Sequence, residues 1–172
     1  MKKIILLFAF TVAMADAIAQ NNTTAAKNLK ASADTMAKLF LNKRYDAFVK
    51  YTHPKIIALV GGKEKMVSQL KKSLEDMKAE GITISNVTIG EPSEIVVANN
   101  EQQAIVPQNL ELTTNKGKLL STSYLIAISK NNGVTWYFAD TSGKTLTKMK
   151  TVFPSLSEKL IIPERQQPVL VN

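Results

Sequence analysis

His53 is the one histidine of the chain, and Asp140 is the acid that closes an aromatic run. These two are the candidates for acid–base chemistry. An imidazole changes charge near neutral pH, but it catalyses only from a pocket in which a second group orients it. No partner for His53 stands at a recognisable spacing. The plainer reading makes His53 a helix-end residue beside Pro54, capping carbonyls or facing solvent. On that reading His53→Ala leaves stability and ligand binding nearly unchanged. Val134, Trp136, Phe138 and Asp140 share one face if their segment is a strand. The plainer role of Asp140 is to bond the backbone of Ser142 or Gly143 in a turn.

Other chemistries are excluded by residue type. The 172 residues include no cysteine, so disulfides, thiolate zinc sites, iron–sulfur clusters and a cysteine nucleophile are absent. A single histidine rules out a multi-histidine metal site. There is no G-x-S-x-G, no H-E-x-x-H and no phosphate loop; Gly61-Gly62-Lys63 lacks the spacing and the hydroxyl. No cofactor and no metal are expected. The net charge is +8, but the lysines are scattered and interrupted by Glu64, Glu75, Asp76 and Glu80. They read as a solvated helix face. No interleaving of aromatic and basic residues marks a nucleic-acid reader.

What remains is binding. Tyr124, Trp136, Tyr137 and Phe138 form an aromatic band that is either plain core or the wall of a ligand cavity with polar handles. Facing helices would complete such a cavity, so the expected ligand pocket is Met36, Phe40, Tyr51, Tyr124, Trp136 and Phe138.

The elements that must position these residues are legible as changes of period. Lys2 and Lys3, the apolar run Ile4 to Ala13 and the small residues up to Ala19 have the three parts of a secretory leader. The apolar run is too short to span a bilayer. Residues 1–19 are therefore expected to be a signal peptide cleaved near Ala19, leaving Gln20 first. The expected protein is exported, periplasmic or secreted, with no stable membrane insertion. Losing Lys2, Lys3 and Asp16 lowers the charge to +7 over 153 residues. Residues 20–153 read as a single α+β domain and 154–172 as a partly docked tail.

Ala26, Leu29, Ala33, Met36, Ala37 and Phe40 follow one helical face. A break at Asn42 to Tyr45 precedes a short helix with Phe48, Val49 and Tyr51, which must stop near His53 because of Pro54. Ile56 to Val60 is a short apolar run closed by Gly61-Gly62. A third helix carries the stripe Met66, Val67, Leu70, Leu74 and Met77, capped by Gly81. After Gly81 the period becomes two. Strands are expected over 82–89, 93–99, 103–114, 118–129 and 134–140. Pro107 marks an edge or bulge, Asn99-Asn100-Glu101 a turn and Asn131-Asn132-Gly133 a strong hairpin signal. Short turns between successive strands imply an antiparallel meander.

This order resembles the nuclear transport factor 2-like superfamily, a cystatin-like α+β cone that includes ketosteroid isomerases and polyketide cyclases. The resemblance rests on Phe40-Leu41-Asn42-Lys43-Arg44-Tyr45-Asp46-Ala47-Phe48, on Tyr51-Thr52-His53-Pro54, and on Gly133-Val134-Thr135-Trp136-Tyr137-Phe138-Ala139-Asp140. It covers roughly residues 25–150. The chain departs from it in placing its third helix before the whole sheet. The ending from Asp140 to Pro163 is similar to exported proteins of Bacteroidetes. The resemblance implies N-terminal helices packed on the concave face of a curved antiparallel sheet. It also implies a possible proton-shuttling carboxylate, for which Asp140 is the position to test.

The leading expectation is a non-catalytic exported domain that binds a small apolar or amphipathic ligand, or a protein partner, in its helix–sheet cleft. An isomerase- or cyclase-like enzyme using His53 or Asp140 is the alternative. A structural module that forms a homodimer through its sheet is the third. A cleft filled by Met36, Phe40, Trp136 and Phe138 would count against both ligand readings. A broad apolar patch on the convex face would favour pairing.

Overall fold

In a computed structural model the backbone is described for residues 5–171 and the side chains for residues 23–171. Lys2 and Lys3, and the other side chains on which the leader expectation rests, lie outside those described. Helix α1 (Ile5–Leu41) is followed by a short α2 (Tyr45–Phe48) and a 3-10 turn (Val49–Tyr51). Helices α3 (Pro54–Val60) and α4 (Lys63–Ala79) complete the N-terminal half. The strands are β1 (Thr83–Ile89), β2 (Val96–Ala98), β3 (Glu101–Thr114), β4 (Gly117–Ser129) and β5 (Tyr137–Asp140). Helix α5 (Leu146–Val152) and β6 (Val169–Val171) close the chain.

All strand pairs are antiparallel, and the sheet is curved and open. This is the expected α+β class, with the helices before an antiparallel sheet; the expected meander is broken at its start, because β1 pairs with β3 and not with β2. The long hairpin β3–β4 forms the middle, and each of its outer sides is shared by two short strands. Strands β1 and β2 lie one after the other along β3, and β5 and β6 along β4. Pro107 lies between the β1 and β2 stretches of β3. Its missing N–H costs no ladder bond there, and its carbonyl still accepts from Gly90.

The core has two sides. On one, Ala25, Leu29, Ala33 and Met36 of α1 pack on Ala104, Val106, Leu125, Ala127, Trp136 and Phe138. On the other, Met149 of α5 and the tail residues Phe153, Leu156 and Leu160 cover Ile105, Ile126, Ile128 and Ala139. The tail is therefore a third layer rather than an appendage. The apolar outer face at these positions, on which a dimer through the sheet would draw, is covered by the chain itself.

Polar bonds fix that layer. Gln103, fully buried, donates through Nε2 to the Ser155 carbonyl and to Glu101, each at 3.0 Å, and its Oε1 accepts from Ser157 N–H at 2.9 Å. The Ser155 hydroxyl also donates to Glu101 at 2.9 Å.

Two expected strands and one expected hairpin differ, and an unassigned apolar run takes a definite form. Ile56 to Val60 is helix α3, because His53 and Pro54 supply a cap and a first helical residue. The expected strand from Val134 begins only at Tyr137, and the expected strand from Ser93 only at Val96. The tight hairpin lies at Asn99-Asn100, both at positive φ, where Ala98 pairs with Glu101. Asn131-Asn132-Gly133 belongs to a longer connection. There Asn131 Oδ1 accepts from Thr135 N–H, and Gly133 is driven inward.

Gly133 is where α1 meets the sheet. Its carbonyl accepts from Asn28 Nδ2 at 2.9 Å and from Trp136 Nε1 at 3.1 Å, and its N–H donates to Ser129 Oγ at 3.0 Å. A Cβ added there would stand 2.3 Å from Ala25 Cβ, and φ is +76°. Gly133→Ala is therefore expected to destabilise the fold by about 2–4 kcal/mol through overpacking and left-handed strain. Urea unfolding measures this; a loss under about 0.5 kcal/mol would mean the contact is soft.

Candidate functional site

His53 is placed by both of its neighbours. Thr52 bridges to Phe138, and His53 N–H donates to the Phe138 carbonyl at 2.8 Å. Its Nδ1 accepts from Lys55 N–H at 3.2 Å, so the imidazole caps the N-terminus of α3. The ring stands edge-on to Phe153 at 4.8 Å and to Tyr137 at 6.3 Å. Burial, then the nearby charge of Lys130, lowers its pKa; Glu101 opposes this and Lys55 adds to it. A neutral, half-buried, capping imidazole is a structural part. This corrects one expectation, since His53 accepts from an amide rather than capping carbonyls, and the cap makes His53→Ala expected to lower stability. Losing an N-cap costs about 0.5–2 kcal/mol.

Asp140 is exposed, and its Oδ1 accepts from Ser142 N–H at 2.5 Å. This is the turn geometry. No hydrogen bond joins Asp140 to His53, and each is engaged with its own local backbone. Glu101 is the buried acid that sequence reasoning missed, having assigned it to a turn. Burial alone would raise its pKa, but bonds from Ser155, Gln103 and Lys130 outweigh that and hold it below the usual carboxylate range. It is bound into the tail contact through Ser155 and Gln103.

The six expected pocket residues do not share one space. Met36, Trp136 and Phe138 are buried in the α1-side core, and Tyr51 packs half-buried against them. Tyr124 packs on the opposite core. Close packing of α1 at its small residues Ala25 and Ala33 fills the middle of the cleft. Of the six, it is Phe40 that lines a cavity. It stands at the end of α1, 6.0 Å from the Tyr45 ring and 5.5 Å from the Phe48 ring.

That cavity, of about 690 Å³, lies between the end of α1, the second half of α4 and the start of β1. It falls within the usual size of a small-ligand pocket, about 300–1,000 Å³. Phe40, Leu41, Leu74, Met77, Ile82 and Ile84 form its apolar wall. The α4 stripe explains why it is open. Only Val67 of that stripe is buried, while Leu74 and Met77 remain half-exposed and face the space. The α4 helix ends in a glycine cap. Gly81 N–H bonds the Lys78 carbonyl and Ile82 N–H the Met77 carbonyl, and this folds Ile82 back beside Met77.

An apolar row continues from the wall. Ile84 pairs with Leu112, Leu112 with Leu119, and Leu119 with Leu170, so the four share one sheet face. The row spans about 14 Å at the normal strand spacing. A second hollow along α4, sharing Lys71 and Glu75 with the first, is lined by acids and lysines, with Lys72 already paired to Asp76 at 2.8 Å.

No family model matches the chain, nor does any curated protein or solved structure. Among the described residues no cluster of acids and histidine could hold a metal ion, and no helix is long and apolar enough to cross a membrane.

The lowered pKa of His53 predicts a pH dependence. The unfolded chain takes up the proton first, so this contribution to stability is complete above the unfolded value, about pH 6.5. It is lost as pH falls from there through the folded value. His53→Asn keeps an N-cap and should flatten the stability slope just below pH 6.5, measured by urea unfolding at stepped pH. An unchanged slope would remove His53 as its source.

Proposed function

We propose that this chain is an exported, non-catalytic binding domain that takes a small amphipathic molecule between α1, α4 and β1. The observation that carries this reading is a cavity of about 690 Å³ with an apolar wall drawn from three elements. The two residues suited to acid–base work are meanwhile engaged as a helix cap and a turn. Neither of them lines this cavity, which suits binding rather than turnover. Export is supported by the basic start, apolar run and small residues of positions 1–19. The described core contacts of α1 begin at Ala25, so cleavage near Ala19 would spare all of them. The order of helices and antiparallel sheet supports kinship with the nuclear transport factor 2-like superfamily.

A neutral solvatochromic dye such as Nile red tests the cavity. The protein should bind it with a fluorescence gain, and Leu74→Trp, which fills the space, should weaken that binding at least about tenfold. Circular dichroism should show the helix content retained. Dye binding that is absent from the parent protein, or unaltered in a folded Leu74→Trp variant, would overturn the proposal.

A further inference from the structure

We infer that the ligand of this cavity is a single-chain amphipath with an anionic head, of the fatty-acid anion class. The inference rests on the ligand-binding reading above and adds the head group and the shape of the tail. Three observations carry it.

The first is charge. Lys43, Lys71 and Lys78 line the cavity with exposed side chains, against the single acid Glu75. None of the three lysines has a carboxylate within 4 Å among the described residues, whereas Lys30, Lys72, Lys130 and Lys150 each have one. Three cations against one acid thus stand where the apolar wall meets water. An anion held there keeps its head hydrated while its tail is buried.

The second is backbone strain. Three helices end in the same paired-bond cap. In α3 the left-handed position is Gly61 and in α4 it is Gly81, as the geometry favours. In α1 it is Lys43, at φ +56°, with Lys43 N–H bonded to the Phe40 carbonyl and Arg44 N–H to the Leu39 carbonyl. A side chain in this position is disfavoured by its Cβ. The one cap that carries a side chain is the one whose side chain lines the cavity. Strained residues cluster at ligand sites; the other left-handed side chains, Asn99, Asn100, Asn132 and Ser142, lie in turns.

The third is shape. The row Ile84, Leu112, Leu119 and Leu170 runs from the cavity wall across four strands, and Leu170 is 52% exposed at its end. A row of paired apolar side chains about 14 Å long offers an extended alkyl chain a continuous apolar surface leading away from the cavity.

The probes are sodium decanoate and decanol below their aggregation limits, titrated calorimetrically into the parent protein and into Lys43→Gly and Lys71→Gln/Lys78→Gln. Decanoate should bind at least about fivefold more tightly than decanol at low salt, and its advantage should shrink as salt rises. Lys43→Gly should weaken decanoate about threefold and the double variant about fivefold, with decanol unchanged in both. The thermal midpoint of Lys43→Gly should stay level or rise, because the glycine relieves the cap. Equal affinity for the two probes would overturn the anionic head while leaving the cavity reading intact. Binding of neither would overturn both. Unaltered decanoate affinity in Lys43→Gly would remove Lys43 from the site, and a lowered midpoint would remove the strain argument.

Discussion

One close approach governs the geometry of this protein. At Gly133 the backbone of a surface connection comes against Ala25 of α1 with no room for a side chain. Two side-chain donors, from Asn28 and Trp136, converge on one carbonyl. That contact fixes both where α1 begins to pack and how close it lies to the sheet. Leu29, Ala33 and Met36 then follow at helical spacing over Trp136, Phe138 and Val106. The helix is close to the sheet near Gly133, and at its far end Phe40 and Leu41 border open space. The filled middle and the open end of the cleft are thus two results of one helix placed by one glycine.

The opposite face is ordered by a different kind of force. Gln103 and Glu101 are polar groups at the buried start of β3, on the face that the tail covers. Their burial is tolerated because they bond each other, Lys130 pairs with Glu101, and the tail supplies the rest through the Ser155 hydroxyl, the Ser155 carbonyl and the Ser157 N–H. Burying such groups without partners would be costly. The network therefore specifies one docking position for residues 153–160, and Phe153, Leu156 and Leu160 supply the apolar area that drives docking. With no disulfide in the chain, packing and these bonds do the whole of the fastening.

The fold was largely legible in the residues, and the candidate site much less so. The stripe from Leu29 to Phe40 and the period-two pattern after Gly81 placed α1 and the sheet. Pro107 was read as an edge feature because a missing N–H can be absorbed only where no partner strand is waiting. Asp140 was read as a turn from local chemistry that operates within three residues. The failures share a cause in tertiary context. The apolar run at Ile56 is short enough to fit a helix or a strand, and the His53 cap decides it. Met36, Trp136 and Phe138 have the character of cavity lining, yet how closely α1 approaches is settled at Gly133, a hundred residues away in sequence. The half-filled stripe of α4 is indistinguishable in composition from a fully buried one. Lys43 gave no signal at all, since only the backbone angle reveals that it occupies a glycine's place.

The split rows along the central hairpin have a consequence for the molecule in company. A long open strand is a template on which a second chain can add its own backbone bonds. Here one margin of the sheet is divided at Pro107 into the seven residues of β1 and the three of β2. The other is divided between the four of β5 and the three of β6. Each remaining margin is too short and too interrupted to seed an extended ladder. The broken outline thus guards a disulfide-free domain against edge-to-edge polymerisation.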